Sequence, residues 1–225
     1  MNNKSQLQSY LIQQKGLYGN EIYLNSNVSG KTNQLRPYIN NEKEKELNQY
    51  RISINLCKKC DLGYTRKNFV FGIGNPDANL MLVGEAPGEK EDLKGEPFIG
   101  RAGKLLDKIL LAINKKREND VYITNVLKCR PPNNRDPLIS EIEKCGPYLL
   151  KQISIIKPKI ILALGKIAGN ALINKNLPIK EMRNQTYDYY GTPLRVTYHP
   201  AGLLRNPNFK KPAWEDFKWI RDYLN

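Results

Sequence analysis

From Asn79 to its C-terminus the chain alternates short, unbroken apolar runs with stretches of helical periodicity, and few architectures accommodate that alternation. Asn79 to Gly84 reads as a buried strand, because apolar residues fill it without a polar face and Gly84 closes it. Leu105, Leu106, Ile109, Leu110 and Ile113 then share one face at helical spacing, which predicts a helix from about Gly103 to Asn114. Val121 to Leu127 is a second strand. Ser140 to Ile156 is an amphipathic helix stopped by Pro158, Lys159 to Leu164 a third strand and Lys166 to Ile173 a third helix. Thr192 to Thr197 adds a fourth strand, and Pro212 to Leu224 a closing helix with Pro212 near its first turn. The pattern predicts an α/β fold, a three-layer α/β/α sandwich around a four-stranded, mainly parallel sheet. Ligands of such sheets bind beyond the carboxyl ends of the strands.

At 225 residues the chain has room for one large domain and an appendage. Its longest apolar runs, such as Ile160 to Leu164, fall far short of the ~20 residues that span a bilayer. The first residues lack the apolar core and cleavage site of a secretory signal, so the expected location is cytoplasmic, wherever the genomic DNA is held. Thirty-six Lys and Arg against 22 Asp and Glu leave a formal charge of +14, which suits a polyanionic partner. Residues 51–225 hold 30 of the basic and 18 of the acidic side chains, so the charge belongs to the body. Residues 1–45, rich in Asn, Gln, Lys and Tyr, read as a mobile N-terminal extension to a domain over residues 46–225. The alternating run Glu42 to Glu46 is the solvated start of a helix that continues through Leu47 and Ile54.

Polar side chains collect where the predicted strands end. The first strand runs into Gly84-Glu85-Ala86-Pro87-Gly88, the second carries Asn125, and the fourth leads into His199-Pro200-Ala201, which holds the chain's single histidine. The four cysteines stand at 57, 60, 129 and 145. Without a secretory signal two structural disulfides are not expected, and the Cys57-x2-Cys60 spacing lets two thiolates grip one metal centre. Four thiolates suit tetrahedral zinc or a [4Fe–4S] cluster, and ligation chemistry alone does not separate the two.

Together, Val70-Phe71-Gly72 through Asn75-Pro76, GEAPGEKED (residues 84–92), GEPFIGRAGKLLD (95–107), YITNVLKCRPPNNRDP (122–137) and HPAGLLRNP (199–207) resemble the family 4 uracil-DNA glycosylases, the iron–sulfur branch of the uracil-DNA glycosylase superfamily. The resemblance runs from about residue 45 to 225 and includes all four cysteines. It implies a monofunctional glycosylase that hydrolyses the bond between uracil and deoxyribose in base excision repair. It also implies a structural [4Fe–4S] cluster on Cys57, Cys60, Cys129 and Cys145. Clamping those cysteines together would brace basic loops that include Lys58, Lys59, Arg66, Lys67, Arg130 and Arg135.

What uracil demands fits the residues at the strand ends. A base inside a duplex must be extruded, stacked on an aromatic and read on its hydrogen-bonding edge. By its position in the motif Phe98 is the stacking candidate; from local sequence alone it reads as an ordinary core phenylalanine. Asn125 can accept from N3–H while donating to O4, and cytosine offers the opposite pattern. The resemblance assigns His199 to O2, where charge accumulates as the bond breaks. Glu85 or Glu91 would orient water or stabilise the sugar cation, with Gly84 and Ala86 completing the pocket; the competing reading of Glu91 and Asp92 is helix capping. For DNA contact the expectations are Arg101 at a helix N-terminus, Arg130, Arg135, and a wedge of Leu203, Leu204 and Arg205, although either leucine could instead cover the sheet end. The expected partner is uracil-containing DNA, single- or double-stranded, engaged by a monomer, with no membrane. Lys4 to Leu11 loosely resembles the box by which repair enzymes dock on sliding clamps, with a fortuitous helical stretch as the competing reading. Two rivals to the enzyme are a relative that traps uracil covalently and a non-catalytic or polymerase-associated module.

Overall fold

The computed structural model describes residues 42–225. The clamp-like stretch 4–11 and nearly all of the expected extension lie outside the described residues; only Glu42 to Lys45 of it are seen, as the opening of the first helix. In chain order the elements are α1 (Glu42–Ile54), α2 (Leu62–Thr65), β1 (Ile73–Gly74), β2 (Leu80–Gly84), α3 (Glu89–Lys94), α4 (Arg101–Ala112) and β3 (Val121–Asn125). Then follow α5 (Ile139–Ile156), β4 (Ile160–Leu164), α6 (Lys166–Ile173), α7 (Ile179–Met182), β5 (Tyr187–Tyr189), β6 (Thr192–Thr197), α8 (Pro200–Arg205) and α9 (Lys210–Leu224).

The sheet has six strands in the order β1-β3-β2-β4-β6-β5, two more than expected. The four expected strands form its parallel centre, and β1 and β5 are antiparallel additions at the two edges. Both additions are short and carry no apolar run: β1 is Ile-Gly and β5 is Tyr-Asp-Tyr, so nothing in their periodicity marks a strand. The central strands are buried throughout in β2, β3 and β4, as parallel strands covered on both sides must be.

Alternation along β2 divides the core. Met81 and Val83 join one apolar cluster with Leu47 of α1, Leu149 and Ile153 of α5 and Leu172 of α6. Leu80 and Leu82 join the other with Leu106 and Leu110 of α4 and Phe217 and Ile220 of α9. Helices thus cover both faces of the sheet, and each fully buried Leu or Ile contributes roughly 1.5–3 kcal/mol through removal from water. Buried Asp216 of α9 ties that helix to the strand end nearest the last rim: it accepts from Thr197 Oγ1 at 2.5 Å and takes the Arg183 guanidinium at 2.8 and 2.9 Å.

From β2 the chain moves to one side, to β3, and from β4 to the other, to β6. The crevice beyond the carboxyl ends of β2 and β4 is therefore the switch point of the sheet. In the parallel ladders the final pairs are Gly84 with Asn125 and Leu164 with Thr197, so Glu85, Asn125 and His199 emerge on one rim.

Candidate active site

Gly84 is the floor of the rim. A Cβ there would lie 2.4 Å from Asn125 Oδ1 and 2.6 Å from Phe98 Cζ, so only glycine lets the Phe98 ring and the Asn125 amide close over the strand end. The Phe98 and His199 rings face each other with centroids 5.5 Å apart and planes tilted by 31°. Gly165, with φ +100°, does for His199 what Gly84 does for Phe98: a Cβ there would stand 2.9 Å from His199 Cβ.

Asn125 is 2% exposed, yet no hydrogen bond among the described residues engages its side-chain amide. Its backbone carbonyl is held from behind by Lys128 Nζ at 2.8 Å. That ammonium is wholly buried and also donates to Thr124 Oγ1 and Gln152 Oε1, each at 2.6 Å. Three acceptors in a dry site are what a buried lysine needs. A lysine beside a cysteine in a basic stretch gives no hint of this in the sequence; the signal that it is buried comes only from the fold.

His199 caps α8. Its Nδ1 accepts the Ala201 N–H at 3.1 Å, so in the neutral ring the proton sits on Nε2. Burial, with the Arg205 charge added to it, lowers the His199 pKa to about 4 against a smaller pull from Glu91. The ring is therefore neutral at pH 7 and presents one N–H donor. Burial raises the Glu85 carboxyl to about 7, and the Asp136 charge adds to the rise. A carboxyl near 7 can both hold and release a proton in the working range.

Phe98 adopts φ +54°, a left-handed conformation that costs a non-glycine residue on the order of 1–3 kcal/mol. Its neighbours hold it. Glu91 Oε1 accepts the N–H groups of Ile99 and Gly100, both at 2.9 Å, while Arg117 donates to the carbonyls of Pro97 and Phe98 at 2.9 and 2.7 Å. Glu91 is thus engaged in bracing the Phe98 loop. The same bonds bear on the phosphate seat expected at the start of α4: the Gly100 N–H already has an anionic partner, and Arg101 remains an exposed cation beside it. Asp92 is buried and holds the N–H groups of Lys67 and Asn68, at 2.9 and 3.2 Å.

The remaining expected DNA contacts divide. Leu203 is 2% exposed and packs with Tyr198 and Ala213, so it belongs to the core and cannot be a wedge; Leu204, one residue and a ~100° helical turn away, is 47% exposed. Arg205 is exposed. Arg130 bonds Asn134 Oδ1 at 2.9 Å, and Arg135 makes a bidentate pair with Glu141 at 2.6 and 3.0 Å, which leaves less of either guanidinium for a phosphate. Arg66, expected on a basic loop, turns inward instead: it donates to Cys57 O, to Asn55 O and, at 3.3 Å, to Cys129 Sγ.

All four cysteines line one small cavity with Phe69, Tyr148 and Arg66. Sulfur acceptors are served by Lys59 N on Cys57, Lys128 N on Cys145 and Arg66 on Cys129, at 3.5, 3.4 and 3.3 Å, and Tyr148 Oη lies 3.0 Å from Cys57 Sγ. Hydrogen bonds onto cysteine sulfur in an apolar surround are the setting in which thiolate-held clusters sit. Among the described residues no set of three or more His, Cys, Asp or Glu side chains is arranged to grip a single metal ion. Four thiols around one cavity are a donor set that fits a thiolate-held metal centre.

The model of the uracil DNA glycosylase superfamily matches residues 71–218. A type-4 uracil-DNA glycosylase of Archaeoglobus fulgidus is 48% identical over 172 residues, which cover 73% of this chain and 86% of that protein. The type-4 uracil-DNA glycosylase of Sulfurisphaera tokodaii is 48% identical over 174 residues, 74% of this chain and 79% of its own. That of Thermotoga maritima is 46% identical over 172 residues, 75% and 89% of the two chains.

Proposed function

The chain belongs to the uracil-DNA glycosylase superfamily, in its type-4 branch, and on that footing we propose that it hydrolyses the N-glycosidic bond of deoxyuridine in DNA, leaving an abasic site in the first step of base excision repair. The observation that carries this reading is the Phe98 ring closed over Gly84 beside the unengaged Asn125 amide, with the His199 ring facing it.

The extruded uracil stacks on Phe98. Asn125 accepts from N3–H and donates to O4, a pairing that cytosine reverses at both atoms. A site built for one pattern rejects the other, since buried donors and acceptors would be left facing their own kind. As the bond from C1′ to N1 breaks, its electron pair passes to the uracil ring and collects on O2, where the neutral His199 donates from Nε2. Loss of the pair leaves an oxocarbenium-like sugar. Ionised Glu85 stabilises that cation and takes the proton of the water whose oxygen bonds to C1′.

In this reading Cys57, Cys60, Cys129 and Cys145 would hold a [4Fe–4S] cluster. When bound, it would supply a cross-link between the segment joining α1 to α2, the loop after β3 and α5, and no electron transfer, because the hydrolysis moves no net electrons. The exposed Leu204, with Arg101 and Arg205, meets the duplex, and one chain supplies every group named, as a monomer requires.

A fluorescently labelled uracil oligonucleotide treated with catalytic amounts of the protein and then with alkali tests the proposal. Strand scission with many turnovers is expected. A stoichiometric cross-link, or retardation without scission, would overturn it.

A further inference from the structure

Arg117 lies in a stretch, Lys115-Lys116-Arg117-Glu118, that reads as a solvated turn, yet its side chain is only 14% exposed. Each of its three nitrogens has a partner. Nη1 donates to Pro97 O at 2.9 Å, Nη2 to Phe98 O at 2.7 Å, and Nε to Asp107 Oδ1 at 2.8 Å. Two adjacent carbonyls taken by one planar fork define a direction as well as a distance, which a lysine ammonium cannot do.

The segment it grips needs such a hold. Phe98 stands in the left-handed region at φ +54°, and its carbonyl is pressed against α4 so closely that a Cβ on Gly103 would fall 1.6 Å from Phe98 O. On the far side Glu91 takes the two following N–H groups. A cation on the carbonyls and an anion on the amides therefore hold residues 97–100 between them. Released from Arg117, Phe98 relaxes toward the common backbone regions, and its ring swings off Gly84.

We infer that Arg117, set by Asp107, is a positioning residue for the glycosylase reaction: it fixes the backbone of Pro97 and Phe98 and thereby the plane on which uracil stacks. The inference rests on the stacking role proposed for Phe98.

Single-turnover cleavage of a uracil oligonucleotide, with 2-aminopurine beside the uracil to report extrusion, tests it in parent, Arg117→Met, Arg117→Lys, Phe98→Ala and the Phe98→Ala/Arg117→Met double variant, alongside Tm. The expected loss for Arg117→Met is on the order of 10- to 100-fold in rate, the scale of a misplaced binding group. Arg117→Lys recovers little of it, and in the Phe98→Ala background Arg117→Met has no further effect. Should Arg117→Met fail to fold, Asp107→Asn, at the half-exposed end of the pair, is expected to lose a few-fold in rate, again only while Phe98 is present. A loss that multiplies undiminished with Phe98→Ala overturns the inference, as does a slow Phe98→Ala beside a fast Arg117→Met. A parental rate for Phe98→Ala removes the stacking role and the inference with it.

Discussion

The rim above Gly84 and the cysteine cavity lie at opposite ends of the short segment Asn125 to Cys129, and they treat their polar groups in opposite ways. At the rim the Asn125 amide and the His199 Nε2 have no protein partner among the described residues, Glu85 is pushed toward its neutral form, and Phe98 is held in a strained backbone. At the cavity three of the four sulfurs already accept hydrogen bonds, and a guanidinium is committed to one of them. A site for a transient ligand keeps its hydrogen-bonding capacity open, whereas a site for a permanent occupant arranges its surroundings in advance. Lys128 belongs to both, lying under the Asn125 carbonyl and one residue from Cys129.

This contrast predicts rate effects at the rim and stability effects at the cavity. His199→Ala should lose on the order of 10²–10³ in kcat, as removal of one donor to a developing anion does, while iron content stays at the parental value and Tm falls only by the roughly 2–4 °C that loss of the α8 cap costs. A parental kcat would end the assignment of His199 to O2. Cys129→Ala should shift the balance the other way: loss of the metal centre, about four irons per chain in the parent, and a stability loss of about 3 kcal/mol, a fall in Tm of roughly 6–12 °C for a domain of this size. Zinc in place of iron by elemental analysis would refute the cluster.

Glu85 joins the two kinds of effect. Its carboxyl titrates near 7, so activity should rise as pH goes from 5.5 to 8 and the carboxylate forms; His199, near 4, adds no limb in that window. Glu85→Gln should lower the rate at pH 8 by roughly 10²-fold and flatten the profile, at the low end of the range for a positioned acid–base group. Stability moves oppositely. The folded state holds the Glu85 proton above its ordinary 4.5, so ionisation costs stability as pH rises from there through about 7. Glu85→Gln should therefore raise Tm at pH 8 and leave it unchanged at pH 4. An equal gain at both values would mean that its burial has no electrostatic cost.

β2 and β4 were legible because buried parallel strands are unbroken apolar runs, while β3 and β6, which carry Thr124, Asn125 and Arg195, were placed by their alternation with helices, and α6 was read to the residue. Other boundaries moved where side chains decide them: α4 begins at Arg101, not Gly103, because Glu91 braces the turn before it. The edge strands were not legible, since two or three residues paired only by backbone leave no side-chain pattern. At the rim, residue chemistry and motif order brought Glu85, Asn125, Phe98 and His199 forward, and the fold sets the Phe98 ring against both Gly84, beside Asn125, and His199. Arg117, Lys128 and Arg66 stayed hidden, because a basic side chain reads as solvated until tertiary structure supplies carbonyls or sulfur around it. Likewise only the rotation of α8 distinguishes buried Leu203 from exposed Leu204.

The last rung of the β2–β3 ladder pairs Gly84 with Asn125. Side chains of a strand alternate between faces, so a slip of one residue would point the amide away from the crevice and set Thr124 or Val126 against the glycine. If Asn125 reads the base as proposed, a chain folded with that error lacks its reading group, and base selection is set by strand registration before any substrate is met.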